Sequence, residues 1–242
     1  MDTRVLPSVD RQPVHGRFHW PGRWAAPRWG LLAGRVLRSQ RLKRLMDITV
    51  AGLALTVGAP LFLVVVLVVR CSSPGKPLYV QRRLGRDHNP FGCIKFRTMV
   101  QGADRQLRHT LKNSARLQDD FHRCFKLKND PRITPVGHLL RRTSLDELPQ
   151  FLNILRGEMS LVGPRPIVRA EVERYGDAIH QVLSVRPGLT GLWQVSGRNN
   201  LTYDQRVALD VQYVARRSLL LDLAILWRTV GVVLFPRDNG AY

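Results

Sequence analysis

The alternation of apolar and polar positions divides the chain into unlike stretches. Residues 1–40 mix arginine, proline and glycine with Trp20, Trp24 and Trp29 and show no apolar period. They predict a basic tail, poorly ordered or lying on an anionic membrane interface. Next comes the uncharged run ITVAGLALTVGAPLFLVVVLVV, 22 residues from Ile48 to Val69. As one helix it reaches across a bilayer, which takes about 20 residues. Gly58-Ala59-Pro60 stands at its centre, where proline removes a helix hydrogen bond and predicts a break. Arg35, Arg38, Arg41, Lys43 and Arg44 precede the run, and Arg70, Lys76, Arg82, Arg83 and Arg86 follow it. Neither end is therefore marked for translocation. A helix that enters one leaflet, turns at Pro60 and returns to the same side satisfies both flanks; a kinked span is the alternative.

Beyond this run the pattern changes to that of a water-facing domain. Leu78–Gln81 and Phe91–Phe96 flank the turn-rich 85–90 segment and predict a β-hairpin. Residues 102–127 are polar with helical spacing of Leu107, Leu111, Leu117 and Phe121. A helical pattern runs from about Val168 to Leu183 and another from Thr202 to Arg217. Between them RPGLTGLWQVSGRNN, residues 186–200, reads as an extended loop lining a site. The segment 218–235 is apolar but interrupted by Asp222 and Arg228, as an interfacial amphipathic helix would be; a buried core helix has the same pattern.

The fold class expected is α+β and mostly helical. It comprises a tail (1–40), a re-entrant membrane helix (41–70) and a small catalytic domain (71–242) ending in an interfacial helix. The formal charge of +20, from 38 basic and 18 acidic residues, requires anionic partners. A nucleic-acid binder is disfavoured, because an apolar run of this length does not suit a soluble protein and aromatics are few after residue 40. Cys71, Cys93 and Cys124 are odd in number and lack CxxC spacing, as expected of reduced thiols. His109, His122 and His138 have no ligand-like spacing.

Chemistry concentrates in RRTSLDELPQFLNILRGEMSLVGPRP, residues 141–166. Ser144-Leu145-Asp146-Glu147 matches a capping box, and Asp146 is the alternative cap; either way a helix is expected to begin here. The same residues supply two carboxylates (Asp146 and Glu147), one to attack phosphorus and the other to hold a metal, and arginines for phosphate (Arg141, Arg165), which are the parts phosphoryl transfer needs. Magnesium is the metal expected, because it neutralises diphosphate charge. Lys95 and Arg97 end the second hairpin run, facing a phosphate or simply solvent.

KRLMDITVAG, KFRTM, the 141–166 stretch, RPGLTGLWQVSGRN and LDVQYV together resemble the bacterial sugar transferases. These are monotopic polyprenyl-phosphate phosphoglycosyl transferases, and the likeness is to the exopolysaccharide-production type. The resemblance implies that Asp146 attacks the sugar-linked phosphorus of a UDP-sugar and forms a phosphosugar-aspartyl intermediate. Polyprenyl phosphate then takes the phosphosugar. It implies a magnesium role for Glu147, phosphate contacts for Arg141 and Arg165, and a functional Lys95. Gln194 and Arg198 in the loop, with Asp210, are implied near the nucleotide-sugar site. It also implies the cytoplasmic face of the bacterial inner membrane, an anionic leaflet as partner, and leaves a homodimer open. The family's helix bends at a proline commonly preceded by serine; Ala59 stands there in this chain.

Overall fold

A computed structural model describes residues 39–114, 117–118, 121, 127 and 130–234. The tail and most of 115–129 lie outside the described residues. The chain begins with α1 (Gln40–Ser72), opened by Ser39, whose hydroxyl accepts from the Leu42 amide. The hairpin follows as β1 (Leu78–Leu84) and β2 (Pro90–Phe96), then α2 (Ala103–Lys112), α3 (Pro135–Thr143) and α4 (Gln150–Arg156). After β3 (Ser160–Val162) come the short helices α5 (Val172–Tyr175) and α6 (Ala178–Val182). β4 (Gly188–Thr190), α7 (Tyr203–Arg216) and α8 (Leu219–Leu234) complete the order.

The expected hairpin is present, antiparallel and longer than its apolar runs, from Leu78 opposite Phe96 to Leu84 opposite Pro90. Its turn places Asp87 and His88 consecutively at positive φ. Asn153, fully buried on α4, docks to β2 as a neighbouring strand would. Its Oδ1 accepts from the Ile94 amide (3.0 Å) and its Nδ2 donates to the Gly92 carbonyl (2.7 Å). One apolar cluster joins Ala51 of α1 to Ile154, Met159, Tyr213 and Ile225; another joins Val65 and Val69 of α1 to Phe96 and Leu140.

Four expectations need correction. First, the helix does not end at Pro60, so a turn of the apolar run there is a bend within one helix. Residues 40–72 form one continuous helix with Pro60 inside it, since a single missing N–H removes one bond of the ladder and leaves its neighbours intact. Second, the 186–200 segment is not all loop. Gly188–Thr190 pairs in parallel with β3, and Trp193–Val195 and Arg198–Asn200 are 3-10 turns. Third, Val168–Leu183 is not one helix, because the chain turns at Gly176 with φ 50° and separates α5 from α6. Fourth, no α-helix begins at Ser144 or Asp146.

Helix α8 is largely apolar on both faces, with one buried carboxylate. Its inward face carries the buried Asp222, which accepts from Lys43 of α1 (2.7 Å) and from the Tyr213 hydroxyl (2.8 Å). Its outward stripe is Leu220, Leu223, Trp227, Val230 and Leu234, all exposed. The surface of α1 between Leu53 and Val64 is likewise apolar and exposed. By length and composition α1 is the one helix among the described residues able to cross a membrane. Apolar stripes of this extent mark an interaction surface rather than a solvated one.

Candidate active site

Local geometry explains why two carboxylates stand side by side. Thr134 caps α3, its hydroxyl accepting from the Gly137 amide (2.9 Å), and Pro135 occupies the first turn, where its missing N–H is harmless. A Cβ on Gly137 would collide with the Thr98 carbonyl, so glycine lets α3 lie against the end of the hairpin. Ser144 then adopts the left-handed conformation (φ 58°) and closes α3, donating its amide to the Arg141 carbonyl at 3.2 Å. Its side chain caps nothing. Leu145–Glu147 is a single 3-10 turn leading towards α4. Leu145 and Leu148 pack against the Val65–Val69–Phe96–Leu140 cluster. That packing fixes the turn and leaves the intervening Asp146 and Glu147 directed elsewhere.

The two carboxylates differ in state. Asp146 is buried, at 9% exposure, and burial with the neighbouring Glu147 charge pushes its pKa up to about 6; Lys95 and Arg141 oppose the rise. Glu147 feels burial too, but Lys95 and then Arg165 outweigh it and hold its pKa below the usual range. The Lys95 ammonium donates to Glu147 Oε1 at 2.6 Å, and the Glu147 side chain keeps 36% exposure. One carboxylate is therefore buried and titrates near neutrality, while the other is accessible and ionised.

Cations surround the pair. Arg141 is oriented by its Nε, which donates to Thr98 Oγ1 at 3.0 Å. A buried Asp130–Arg132 pair (2.6 Å) lies within electrostatic range of Arg141. Arg165 follows β3 through Gly163-Pro164; a Cβ on Gly163 would meet the Arg186 carbonyl at 2.6 Å, so glycine allows this crossing. Arg198, on the turn after β4, is close enough to sense the Glu147 charge. Lys95, Arg141, Arg165 and Arg198 thus lie within electrostatic range of the dyad.

Asp210 and Gln194 sit differently. Asp210 is fully buried; its Oδ2 accepts from the Tyr175 hydroxyl (3.1 Å), and its Oδ1 has no hydrogen-bond partner among the described residues. Burial pushes its pKa up to about 8, against the pull of the Tyr175 hydroxyl and Arg165. It is buried against Tyr175 and within electrostatic range of Arg165. Gln194 has a buried Oε1 without a hydrogen-bond partner among the described residues, beside Gly191. Sequence reading missed Glu171 and assigned Arg83 only to the basic flank of the membrane run. Their signal was faint: Arg83 follows Gln81 by two in β1, on the same face, and Glu171 lies in a stretch with an ordinary helical pattern.

A buried carboxylate ringed by cations, beside exposed apolar helices, is an arrangement that favours anionic ligands and an apolar surface together. The sequence profile of the family described as bacterial sugar transferase matches residues 38–236. The chain belongs to this family. It is 48% identical over 197 residues to the exopolysaccharide production protein ExoY of Sinorhizobium fredii, covering 81% of this chain and 87% of that protein. It is 48% identical over 207 residues to the undecaprenyl-phosphate galactose phosphotransferase of Salmonella typhimurium, covering 85% of this chain and 43% of that protein. It is 40% identical over 206 residues to the UDP-glucose:undecaprenyl-phosphate glucose-1-phosphate transferase of Caulobacter vibrioides, covering 82% of this chain and 71% of that protein. The chain spans less than half the length of several curated relatives it matches.

Proposed function

We propose that this protein transfers a sugar-1-phosphate from UDP-glucose or UDP-galactose to polyprenyl (undecaprenyl) phosphate and releases UMP, as a membrane step of exopolysaccharide synthesis. The relatives' names supply the substrate class. The observation that carries the chemistry is the pairing of a buried Asp146 with a Glu147 held ionised by Lys95. A carboxylate with a pKa about 6 is about nine-tenths ionised at pH 7 yet poorly solvated, which suits a nucleophile.

Asp146 Oδ attacks the sugar-linked phosphorus. The bond from that phosphorus to the bridging oxygen breaks, and its electron pair leaves on UMP. An oxygen of polyprenyl phosphate then attacks the same phosphorus, and the Asp146–phosphorus bond breaks to restore the carboxylate. Both nucleophiles are anions, so neither displacement needs a general base. Arg141, Arg165, Arg198 and Lys95 offset the charge of substrate and transition state. The donor set fits magnesium, which takes one or two carboxylates and completes its shell with water and phosphate oxygens. Glu147 would be the accessible ligand, since no cluster of three or more His, Cys, Asp or Glu ligands occurs among the described residues. Bound there, the ion would supply neutralisation of the diphosphate.

The placement of α1 supports a re-entrant position on the cytoplasmic face of the inner membrane. Near its start, Arg44 donates to the Ile154 and Leu155 carbonyls; near its end, Arg97 donates to the Val69 and Ser73 carbonyls. Both ends are therefore fastened to one polar body, while the apolar middle faces outward. A straight crossing would carry the ends to opposite sides of the bilayer. The outward stripe of α8 suits the same leaflet at its surface.

The test is an assay of purified protein with magnesium, polyprenyl phosphate and a panel of UDP-sugars, reading UMP. Release that depends on the lipid under multiple turnover supports the proposal. Multiple turnover without the lipid would make the protein a phosphatase instead.

A further inference from the structure

Arg165 is presented by a second group of buried charges behind the dyad. Arg83 of β1 is largely buried; its Nε (3.2 Å) and Nη2 (2.7 Å) donate to Gln81 Oε1, and its Nη1 donates to the Pro166 carbonyl at 2.9 Å. The residue next to Arg165 is thus tied to the hairpin that carries Lys95. Glu171, also buried, lies between two guanidinium groups. Its Oε2 stands 3.6 Å from Arg83 Nη1 and accepts from the Val168 amide at 2.8 Å, while its Oε1 stands 3.7 Å from Arg165 Nη1. Of these three side chains only Arg165 is appreciably exposed, at 32%.

Charge and geometry together give the group a direction. Two guanidinium groups share the Glu171 carboxylate, and of the two only Arg165 is accessible; the Asp210 carboxyl beside it is fully buried, which disfavours its charge. The Arg165–Glu171 contact is an ion pair beyond hydrogen-bond length. It restrains the guanidinium while leaving its N–H groups available for phosphate oxygens. Arg165 also lies close enough to Glu147 to help hold that carboxylate ionised. Without a counter-charge behind it, Arg165 would be drawn onto Glu147 and would neutralise the accessible carboxylate of the dyad.

We propose that Glu171 is a positioning residue which, braced by Arg83, holds Arg165 back from Glu147 and aims it at the substrate phosphates. It does not touch the reacting atoms. The inference rests on the phosphosugar-transfer reading, and its test separates the two.

The experiment is a double-mutant cycle on UMP release, using Glu171→Gln, Arg165→Lys and the pair, with thermal melting of each. Misplacing a phosphate-holding group by about 1 Å costs roughly 100-fold, so Glu171→Gln is expected to lower kcat/KM for the UDP-sugar by 10- to 100-fold. KM for polyprenyl phosphate is expected to stay within about twofold. In the Arg165→Lys background, Glu171→Gln is expected to add less than threefold, because its target is already lost. Glu171→Asp, which keeps a charge for Arg83 but withdraws it from Arg165, carries the same test if Glu171→Gln does not fold. Multiplicative losses, or wild-type kinetics for Glu171→Gln, would overturn the proposal while leaving the transferase reading intact. A wild-type protein that releases no UMP overturns that reading, and this proposal with it.

Discussion

Asp146 is held in an environment that disfavours its charge, so removing the charge should stabilise the protein. Burial and the adjacent Glu147 raise its pKa from 3.8 to about 6, and each unit corresponds to about 1.4 kcal/mol. The folded state therefore gives up about 3 kcal/mol to keep Asp146 ionised, part of it shared with Glu147 through their mutual repulsion. The sign follows from linkage: the folded state binds the proton more tightly than the unfolded chain, so this destabilisation is full above pH 6. It fades as pH falls towards 4, where both states are protonated. Asp146→Asn keeps the shape and removes the charge. At pH 8 it should raise stability by about 2 kcal/mol, which for a domain of this size is roughly 4–8 °C in Tm. The assay is thermal melting of wild type and variant in the same detergent at pH 8, 6 and 4, with UMP release measured in parallel. The variant should melt higher at pH 8, the gap should close by pH 4, and turnover should be abolished. A variant that melts at or below wild type at pH 8, or a gap independent of pH, would refute the electrostatic reasoning.

Lys95→Met removes the cation that holds Glu147 ionised and opposes the rise at Asp146. The acid limb of the kcat/KM profile should therefore move above pH 6, with activity at pH 6.5 falling more than tenfold; an unmoved limb would contradict the assignment. Gln40→Cys and Lys76→Cys, flanking α1 and its exit, should both react with an impermeant thiol reagent from the cytoplasmic side alone. Labelling of either from the outer side would replace the re-entrant placement with a span.

How much of this was legible follows from the range of the interactions involved. The hairpin was readable because two short runs flanking turn residues are a local signal, and α7 because helical periodicity resumes over 202–217; the structure adds a Thr202–Gln205 capping box at its start. Local signals misled at Ser144, where Ser-x-x-Glu imitates a capping box. The conformation there is set by Leu145 and Leu148 docking on α1 and β2, which are distant in sequence. β4 escaped notice because a three-residue strand has no period and its partner β3 ends 26 residues before it begins. The cations around the dyad were foreseen as phosphate-binding groups. Glu171 was not, because a buried carboxylate between two arginines looks, in sequence, like any glutamate of a polar helix. Pro60 was read from a sound local rule, but a missing hydrogen bond weakens one turn without ending a helix.

The central claim is that Asp146 carries the phosphosugar between donor and acceptor. It is tested most directly by incubating the protein with its UDP-sugar and magnesium in the absence of polyprenyl phosphate, then measuring intact and peptide masses. The account predicts about one equivalent of UMP released in a burst, a mass increment of one phosphosugar on the peptide containing Asp146, and loss of the adduct when polyprenyl phosphate is added. An Asp146→Asn protein that still forms the adduct, or a wild-type protein that turns over with the lipid yet never carries one, would contradict it.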